Sequence, residues 1–196
     1  MMRRPGGADF APGAYVFPGG TVHPDDRAFE DSLRAAAVRE LFEEVGVLLV
    51  PGARDLECAR VRELISVGAS FGSALHSLGL APAFDELVLF ARWVTPALLS
   101  RRFDARFYLA RMPAGQSITP QAGEVTDWLW IAPSRALTRP DIALVYATRA
   151  VLESVADAPD ASTLFARARG LKEIPIGNRE SCRPLTAGRS CGTRAF

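Results

Sequence analysis

Apolar and polar residues follow one another along this chain with two different periods. Runs of the strand type, short and either apolar or alternating, occupy residues 14–17, 47–50, 87–95, 106–112 and 125–131. Patterns of the helical type occupy residues 32–45, 55–80 (with a break near Gly68) and 142–156. Because the two types interleave along the chain, the sequence predicts a fold of the α/β or α+β class.

The clearest predicted element is the helix at residues 32–45. Its apolar residues recur at spacings of three and four, which places them on one face: Val38, Leu41, Phe42 and Val45. Asp31 or Ser32 can cap the N-terminus of this helix, and Gly46 stands where a left-handed C-terminal cap is expected. Start signal, stop signal and periodicity therefore agree in this segment.

Three glutamates share the opposite face of that helix. Glu40, Glu43 and Glu44 fall within an arc of roughly 100°, and a solvated acidic face is the ordinary interpretation of such a run. A glycine-rich turn at residues 17–20, Phe-Pro-Gly-Gly, precedes the helix and brings bare backbone close to it. Carboxylate and carbonyl oxygens suit Mg²⁺ or Mn²⁺, and backbone N–H groups suit phosphate oxygens. The combination indicates metal-assisted hydrolysis of a phosphoanhydride.

Composition narrows the class of protein further. The chain has 196 residues, 48% hydrophobic and 23% charged, which is typical of one globular domain. Its net charge of +1 provides no polybasic surface, so neither nucleic acid nor a membrane is expected as a partner. Three cysteines at unrelated spacings fit neither a disulfide framework nor a metal site, which favours a reducing compartment and hence the cytoplasm.

The acidic helix carries a recognisable motif. Residues 39–47, Arg-Glu-Leu-Phe-Glu-Glu-Val-Gly-Val, match the second half of the Nudix box, R-E-U-x-E-E-x-G-U, at every position, where U is an apolar residue. Gly20 resembles the glycine that opens the box, although the loop between Gly20 and Arg39 is five residues longer than in the family pattern. The first glutamate of the box is replaced by Asp31, with Glu30 as a neighbour that could substitute for it.

Other segments resemble one branch of the Nudix family. Residues 17–20 with the acidic loop that follows, and residues 93–96, 101–107 and 124–130, look like the branch that contains the peroxisomal coenzyme A diphosphatases and their bacterial relatives. This resemblance implies an α/β fold, a Nudix-type α/β/α sandwich with a mixed β-sheet.

The resemblance also sets the expected domain limits. We expect a Nudix domain at residues 1–170, with a helical insert at about 55–80, and a poorly ordered C-terminal tail at residues 171–196. Relatives carry an apolar strand that ends in two arginines, of which residues 1–4, Met-Met-Arg-Arg, resemble only the last turn. The sheet is therefore expected to lack its first strand and to leave a neighbouring strand without a partner.

The resemblance assigns roles to residues by position. It implies that Glu40, Glu43, Glu44 and the carbonyl of Gly20 hold the metal ion, and that Glu43 or Glu44 also orients or deprotonates the attacking water. Arg39 would fix the rotamers of the glutamates. Glu124, in a loop just before a predicted strand, resembles the distal glutamate that some relatives use as a ligand or general base.

Substrate contacts are assigned on weaker patterns. One guanidinium of Arg101 or Arg102 would bind a phosphate of the substrate. The alternative is that the two form a basic pair on the surface. Phe17 is also assigned to substrate binding. Trp128 and Trp130 share a face of their predicted strand, and we expect both to pack against a helix.

The sequence thus predicts a Mg²⁺- or Mn²⁺-dependent diphosphatase that acts on a nucleotide-type small molecule. Coenzyme A or acyl-coenzyme A is the preferred substrate, on branch resemblance alone. ADP-ribose, NADH and dinucleoside polyphosphates are alternatives within the reaction class. A catalytically silent Nudix module that binds a ligand is an alternative of another class, and a homodimer is left open.

Overall fold

The computed structural model describes residues 1–95 and 103–177. Within these ranges, the strands are β1 (Met2–Arg3), β2 (Tyr15–Val16), β3 (Val88–Val94), β4 (Asp104–Leu109), β5 (Asp127–Trp128) and β6 (Ile176–Gly177). The helices are α1 (Ser32–Val45), α2 (Asp55–Ser66), α3 (Phe71–Ser77), α4 (Pro133–Thr138), α5 (Tyr146–Val155) and α6 (Ala161–Arg169). Two 3-10 helices lie at Pro24–Ala28 and Phe84–Glu86. No helix in the described ranges combines the length and the apolar character that crossing a membrane requires.

The chain divides into two compact units. Among the described residues, the first contains 1–87 and 110–129, and the second contains 88–95, 103–109 and 130–177. The first unit holds the acidic helix, the glycine-rich turn and the predicted helical insert. The second holds the two longest strands.

The sheet of the first unit is antiparallel, with the order β2-β1-β5. Met2, which is 1% exposed, pairs with Val16 on one side and with Trp128 on the other. Further backbone bonds flank β1, including the one from the N–H of Leu129 to the carbonyl of Met1 at 2.9 Å. The expectation of a missing strand with an unpartnered neighbour is therefore wrong, because the short residue pair already fills the central place.

Helix α1 has the bounds that the sequence predicts. The carboxylate of Asp31 accepts from the N–H groups of Leu33 and Arg34, and Gly46 closes the helix in the left-handed region at φ 77°. Val38 and Phe42 are buried as predicted, and the Phe42 ring lies 5.7 Å from that of Phe71 in α3, centroid to centroid. The apolar face thus attaches α1 to the helical insert.

The helical insert divides where the sequence indicates. Helix α2 ends at Ser66, Gly68 adopts φ 98°, and the hydroxyl of Ser70 caps α3 by accepting from the N–H of Ser73. A left-handed residue such as Gly68 ends helical geometry at little cost, since glycine lacks a Cβ.

Residues 47–50, predicted to be a strand, are buried but form none. The amide side chain of Gln116 takes the place of a partner strand for Leu48. It accepts from the N–H of Leu48 at 2.9 Å and donates to the Leu48 carbonyl at 2.8 Å and to that of Ala53 at 2.9 Å. A buried backbone needs its hydrogen bonds satisfied, and here a side chain satisfies them.

The second unit contains a mixed sheet with the order β4-β3-β6. β3 pairs antiparallel with β4 and parallel with β6. β6 lies in the segment assigned to a poorly ordered tail, so part of that segment is a strand. A Cβ on Gly177 would lie 2.5 Å from Cζ3 of Trp93, which shows how closely β6 approaches that ring.

The two tryptophans of the predicted strand at residues 125–131 do not pack as expected. Only Asp127–Trp128 forms a strand there, and Trp128 and Trp130 are 40% and 70% exposed. The expectation that both pack against a helix is wrong, because the alternation on which it rests extends over too few strand residues. The interleaved helices and strands nevertheless confirm the predicted α/β class.

Candidate active site

The glycine turn and helix α1 meet at two carboxylates. The N–H of Gly19 donates to Oε2 of Glu44 at 2.7 Å. A Cβ built on Gly20 would lie 2.5 Å from Cδ of Glu40, so the carboxylate of Glu40 occupies the space that any side chain at residue 20 would need. The structure therefore brings the predicted ligands Glu40, Glu44 and Gly20 together.

Glu44 lies in an environment that disfavours its charge. The residue is 5% exposed, and burial raises the pKa of its carboxyl to about 7, against the Gly19 hydrogen bond, which lowers it. The negative charges of Glu40 and Glu124 raise this pKa further, and the positive charge of Arg4 lowers it. The sequence places Glu44 on a solvated polar face, whereas the glycine turn covers it.

Arg39 connects the other two glutamates of the helix. Its Nη1 donates to Oε1 of Glu40 at 2.9 Å and to Oε2 of Glu43 at 2.7 Å, and its Nη2 donates to the Thr21 carbonyl at 2.9 Å. Arg39 is 4% exposed, and although burial favours loss of its proton, hydrogen bonds to Asp26 and Glu43 raise its pKa. A fixed positive charge thus lies beneath the acidic face.

Asp26 completes this network, and the sequence analysis missed it. Its Oδ1 accepts from Nε of Arg39 and its Oδ2 from Nη2, both at 3.0 Å, and Oδ2 also accepts from the N–H of His23 at 2.7 Å. Asp26 is 1% exposed. A two-pronged pair between a carboxylate and a guanidinium is among the strongest polar contacts in proteins.

Asp31, which stands where the Nudix box has its first glutamate, caps the helix and is not part of this network. Besides capping α1, Asp31 pairs with Nη1 of Arg34 at 2.6 Å, so its carboxylate is engaged at the N-terminus of the helix and not with Arg39. The longer loop instead places Asp26 against Arg39. The sequence does contain one signal for this contact. The acidic pair Asp25-Asp26 stands in a turn before Arg39, and an arginine that is buried as a cation needs a carboxylate partner.

Glu43 is the most exposed of the three helix glutamates, its side chain being 37% exposed against 14% for Glu40. It turns toward Arg39, so the three carboxylates do not converge on one point. Within the described residues, no three His, Cys, Asp or Glu side chains are already arranged as a metal-binding group.

The donors of the site nevertheless suit a hard dication. Carboxylate oxygens are the ligands that Mg²⁺ and Mn²⁺ prefer. Burial raises the pKa of Glu40 and of Glu44, and the charges of neighbouring glutamates raise both further. Negative charge is therefore in excess here, and a cation bound between these carboxylates would offset it.

Glu124 is placed near Glu44 by a loop that is hydrogen-bonded to the C-terminal end of α1. The N–H of Thr119 donates to the Val45 carbonyl and the N–H of Gln121 to the Glu44 carbonyl, each at 2.9 Å. These bonds satisfy carbonyls that a helix end leaves without partners. The loop that they hold places Glu124 with Glu44 in the wall of an open cleft of about 400 Å³, which Arg4 and the loop after it also line.

The predicted substrate contacts are described only in part. Phe17 is half-buried and is the first residue of the glycine-rich turn. Arg101 and Arg102 lie outside the described residues, and their predicted role remains a prediction. The role assigned to Phe17 likewise remains a prediction.

Comparison with known proteins gives one family throughout. The family model described as the NUDT19 Nudix domain matches residues 24–142. A Caenorhabditis elegans protein named as nudix hydrolase 7 is 34% identical over 140 residues, which cover 70% of this chain and 47% of that protein. The human acyl-coenzyme A diphosphatase NUDT19 is 33% identical over 131 residues, which cover 58% of this chain and 34% of that protein. This chain thus spans about half the length, or less, of these two relatives.

A solved structure resembles this fold over most of the chain. The crystal structure of a NUDIX hydrolase from Alicyclobacillus acidocaldarius superposes with a TM-score of 0.71 at 28% sequence identity. The superposition covers 90% of this chain and 88% of that one.

Proposed function

The chain belongs to the Nudix hydrolase family, and from that premise we propose that it is a divalent-metal-dependent hydrolase of nucleoside-diphosphate-linked substrates. Coenzyme A or acyl-coenzyme A is the substrate we favour. The observation that carries the proposal is the contact of two helix carboxylates, the half-buried Glu40 and the buried Glu44, with the backbone of the Gly19–Gly20 turn.

Glu40 and Glu44 are the residues that would hold the metal ion, with the carbonyl of Gly20 and Glu43 beside them. Such an ion supplies Lewis-acid stabilisation of a phosphoryl oxygen and makes a water molecule more acidic. The ion suits this position because the carboxylates repel one another, and the Arg39 guanidinium, which lies between Glu40 and Glu43, offsets only part of their charge.

The protein's own residues orient the acidic groups. Arg39 holds one oxygen of Glu40 and one of Glu43 through a single nitrogen, Nη1, which fixes the two side chains relative to each other. Asp26 fixes the guanidinium from below through Nε and Nη2. Preorganised positions of this kind lower a barrier, since little has to move when the reaction begins.

Glu44 is the candidate general base. Burial raises the pKa of Glu44 to about 7 in the metal-free chain, and a bound dication would lower it, so that the carboxylate is ionised and able to accept a proton. Its Oε2 accepts from the Gly19 N–H, so Oε1 is the atom that would take the proton of the attacking water. Glu124, exposed at the mouth of the same cleft, would assist at the entrance.

The choice of substrate is supported by the names of relatives. Two of them, from Gallus gallus and Homo sapiens, are named acyl-coenzyme A diphosphatases, with 29% and 33% identity to this chain. ADP-ribose, NADH and dinucleoside polyphosphates contain the same phosphoanhydride and are the competing substrates.

Incubation of the chain with Mg²⁺ or Mn²⁺ and each of these compounds tests the proposal, with products separated by chromatography. We expect coenzyme A to give adenosine 3′,5′-bisphosphate and phosphopantetheine. Glu44→Gln should lower kcat by about 10²- to 10⁴-fold, the range for loss of a general base. Glu63→Gln, which changes an exposed glutamate of α2, is the matched control and should leave kcat unchanged.

The outcomes separate the alternatives. Cleavage of ADP-ribose or NADH with coenzyme A left intact would keep the reaction class and change the substrate. Tight nucleotide binding with no product from any compound would instead establish a silent binding module. An unchanged kcat in Glu44→Gln would remove this site from the reaction.

A further inference from the structure

We propose that Arg4 anchors the substrate by binding a phosphate oxygen in the cleft that Glu44 and Glu124 line. The inference rests on the proposed function, because it assigns the anionic end of that substrate to a particular wall of the cleft. Arg4 is not among the residues to which the sequence pattern assigns a substrate contact, which are Arg101, Arg102 and Phe17.

The loop that carries Arg4 is closed by its own hydrogen bonds. The Arg4 N–H donates to the Ala14 carbonyl at 3.0 Å, and Nε of Arg4 donates to the Phe10 carbonyl at 2.9 Å. The carbonyl of Pro5 accepts from the N–H groups of Ala8 and Gly13, at 3.1 and 3.2 Å. The backbone of Arg4 and the Nε of its guanidinium are thereby fixed in the absence of a ligand.

The charges in the cleft call for a cation at this position. Glu44 and Glu124 face the same space, and a diphosphate entering beside two carboxylates is repelled unless a positive charge compensates. Arg4 is the basic residue among the described residues that line this cleft.

The chemistry of the side chain fits the ligand class. A guanidinium has five N–H donors in a planar fork, and the bond to Phe10 uses one of them. That fork matches the spacing of two phosphate oxygens, which an ammonium group cannot do. The ligand class is therefore a phosphate or diphosphate group, and the nucleotide part of the substrate is left to other contacts.

Arg3 provides a matched control. It precedes Arg4 directly, and its Nε likewise donates to a backbone carbonyl, that of Gly13, at 3.1 Å. Arg3 is exposed and is absent from the residues that line the cleft. Replacing Arg3 removes the same charge within one residue of Arg4 without changing the cleft.

Calorimetric titration with ADP in the presence of Mg²⁺ tests the anchor without turnover. Arg4→Met should weaken ADP binding by about 10- to 100-fold, the usual effect of losing a charge-assisted hydrogen bond. Arg4→Lys should fall between Arg4→Met and wild type, and Arg3→Met should stay within about twofold of wild type. Arg4→Lys compared with Arg3→Lys decides the question if Arg4→Met does not fold.

Mn²⁺ binding to the same variants separates anchoring from general damage. Removal of a positive charge near Glu44 leaves the carboxylates more negative, so Arg4→Met should bind Mn²⁺ as tightly as wild type or more tightly. A damaged site would bind both Mn²⁺ and ADP less tightly. Weaker ADP binding together with equal or tighter Mn²⁺ binding therefore supports the anchor, and parallel losses overturn it.

The remaining outcomes are equally decisive. Equal ADP affinity in wild type and Arg4→Met overturns the proposal, as does an equal loss in Arg3→Met, or the absence of ADP binding to wild type. If wild type hydrolyses none of the diphosphates while its ADP binding still depends on Arg4, the proposed activity fails and the anchor stands. If hydrolysis is observed with ADP affinity independent of Arg4, the activity stands and the anchor fails.

Discussion

At the scale of single residues, the site is organised around the guanidinium of Arg39. The motif made Arg39 and its neighbouring glutamates predictable, because positions four apart on a helix are adjacent in space. The partner beneath it was not predictable, since Asp26 reaches Arg39 only through the path of a loop. The position of Arg4 in the cleft was not predictable either. Its place in the cleft depends on where the turn at Pro5 directs the chain.

Replacing Asp26 by Asn tests the importance of the support beneath Arg39. The change leaves a buried guanidinium without its main counter-charge, and we expect a loss of about 3 kcal/mol in the free energy of unfolding. Weaker Mn²⁺ binding should accompany it, because the rotamers of Glu40 and Glu43 depend on Arg39. Urea unfolding and Mn²⁺ titration measure the two effects.

Asp25→Asn is the control for that experiment. Asp25 is the exposed neighbour of Asp26 in the same 3-10 helix, so its replacement removes an equal charge from the loop without touching Arg39. Equal effects of the two substitutions would show that Asp26 contributes only through the net charge of the loop.

At the scale of elements, local signals predicted α1 to the residue and failed at residues 47–50. The cap at Asp31 and the left-handed Gly46 lie within a few positions of the helix that they delimit. Residues 47–50 form no strand because the Gln116 amide takes the place of a partner strand, and Gln116 lies 68 positions after Leu48 in the chain. Helices α4 and α6 were missed because they are short, and short helices carry little periodic signal.

Replacing Gly46 by Ala should harm both stability and the position of Glu124. The left-handed φ of 77° costs an alanine about 1–2 kcal/mol, and its Cβ would also lie 2.9 Å from the Thr119 carbonyl. That carbonyl belongs to the loop that carries Glu124, so kcat/KM should fall together with thermal stability.

Gly52→Ala isolates the conformational cost. Gly52 has a similar φ of 74°, and a Cβ there would meet nothing within 4 Å. We expect Gly46→Ala to be less stable than Gly52→Ala by about 1 kcal/mol or more, the range for overpacking a filled space. Equal thermal shifts would mean that the loop yields freely to the added methyl group.

At the scale of the whole molecule, the family and the Nudix-type fold predicted from the motif are confirmed. Nine consecutive residues, 39–47, were enough, because the chemistry of this motif constrains nearly every position in it. The pairing of β6 with β3 was beyond sequence reasoning. It joins segments more than 80 residues apart, Arg92 with Ile176, and involves only two residues of the later strand.

The metal-free chain should lose stability as the pH rises through the acid range. Burial raises the pKa of Glu44 from 4.5 to about 7, so the folded state binds a proton more tightly than the unfolded state does. The free energy of unfolding therefore falls by up to about 3 kcal/mol as the pH rises from about 4.5 to 7. Above that range Glu44 makes no further change to it.

Urea unfolding in the presence of a chelator, at pH 5 and at pH 7.5, measures this change. Glu44→Gln should remove most of the difference, since the amide does not titrate. The raised pKa of Glu40 acts in the same direction and accounts for a smaller remainder. A wild-type chain that gains stability over this interval would contradict the buried state of the Glu44 carboxyl.

The close approach of Gly20 to Glu40 has a practical consequence. A single methyl group at residue 20 would displace one carboxylate while every ionisable group of the cleft, Arg4 included, stays in the chain. Immobilised Gly20→Ala protein is therefore a suitable bait for metabolite extracts, from which an uncleaved compound can be eluted and identified by its mass.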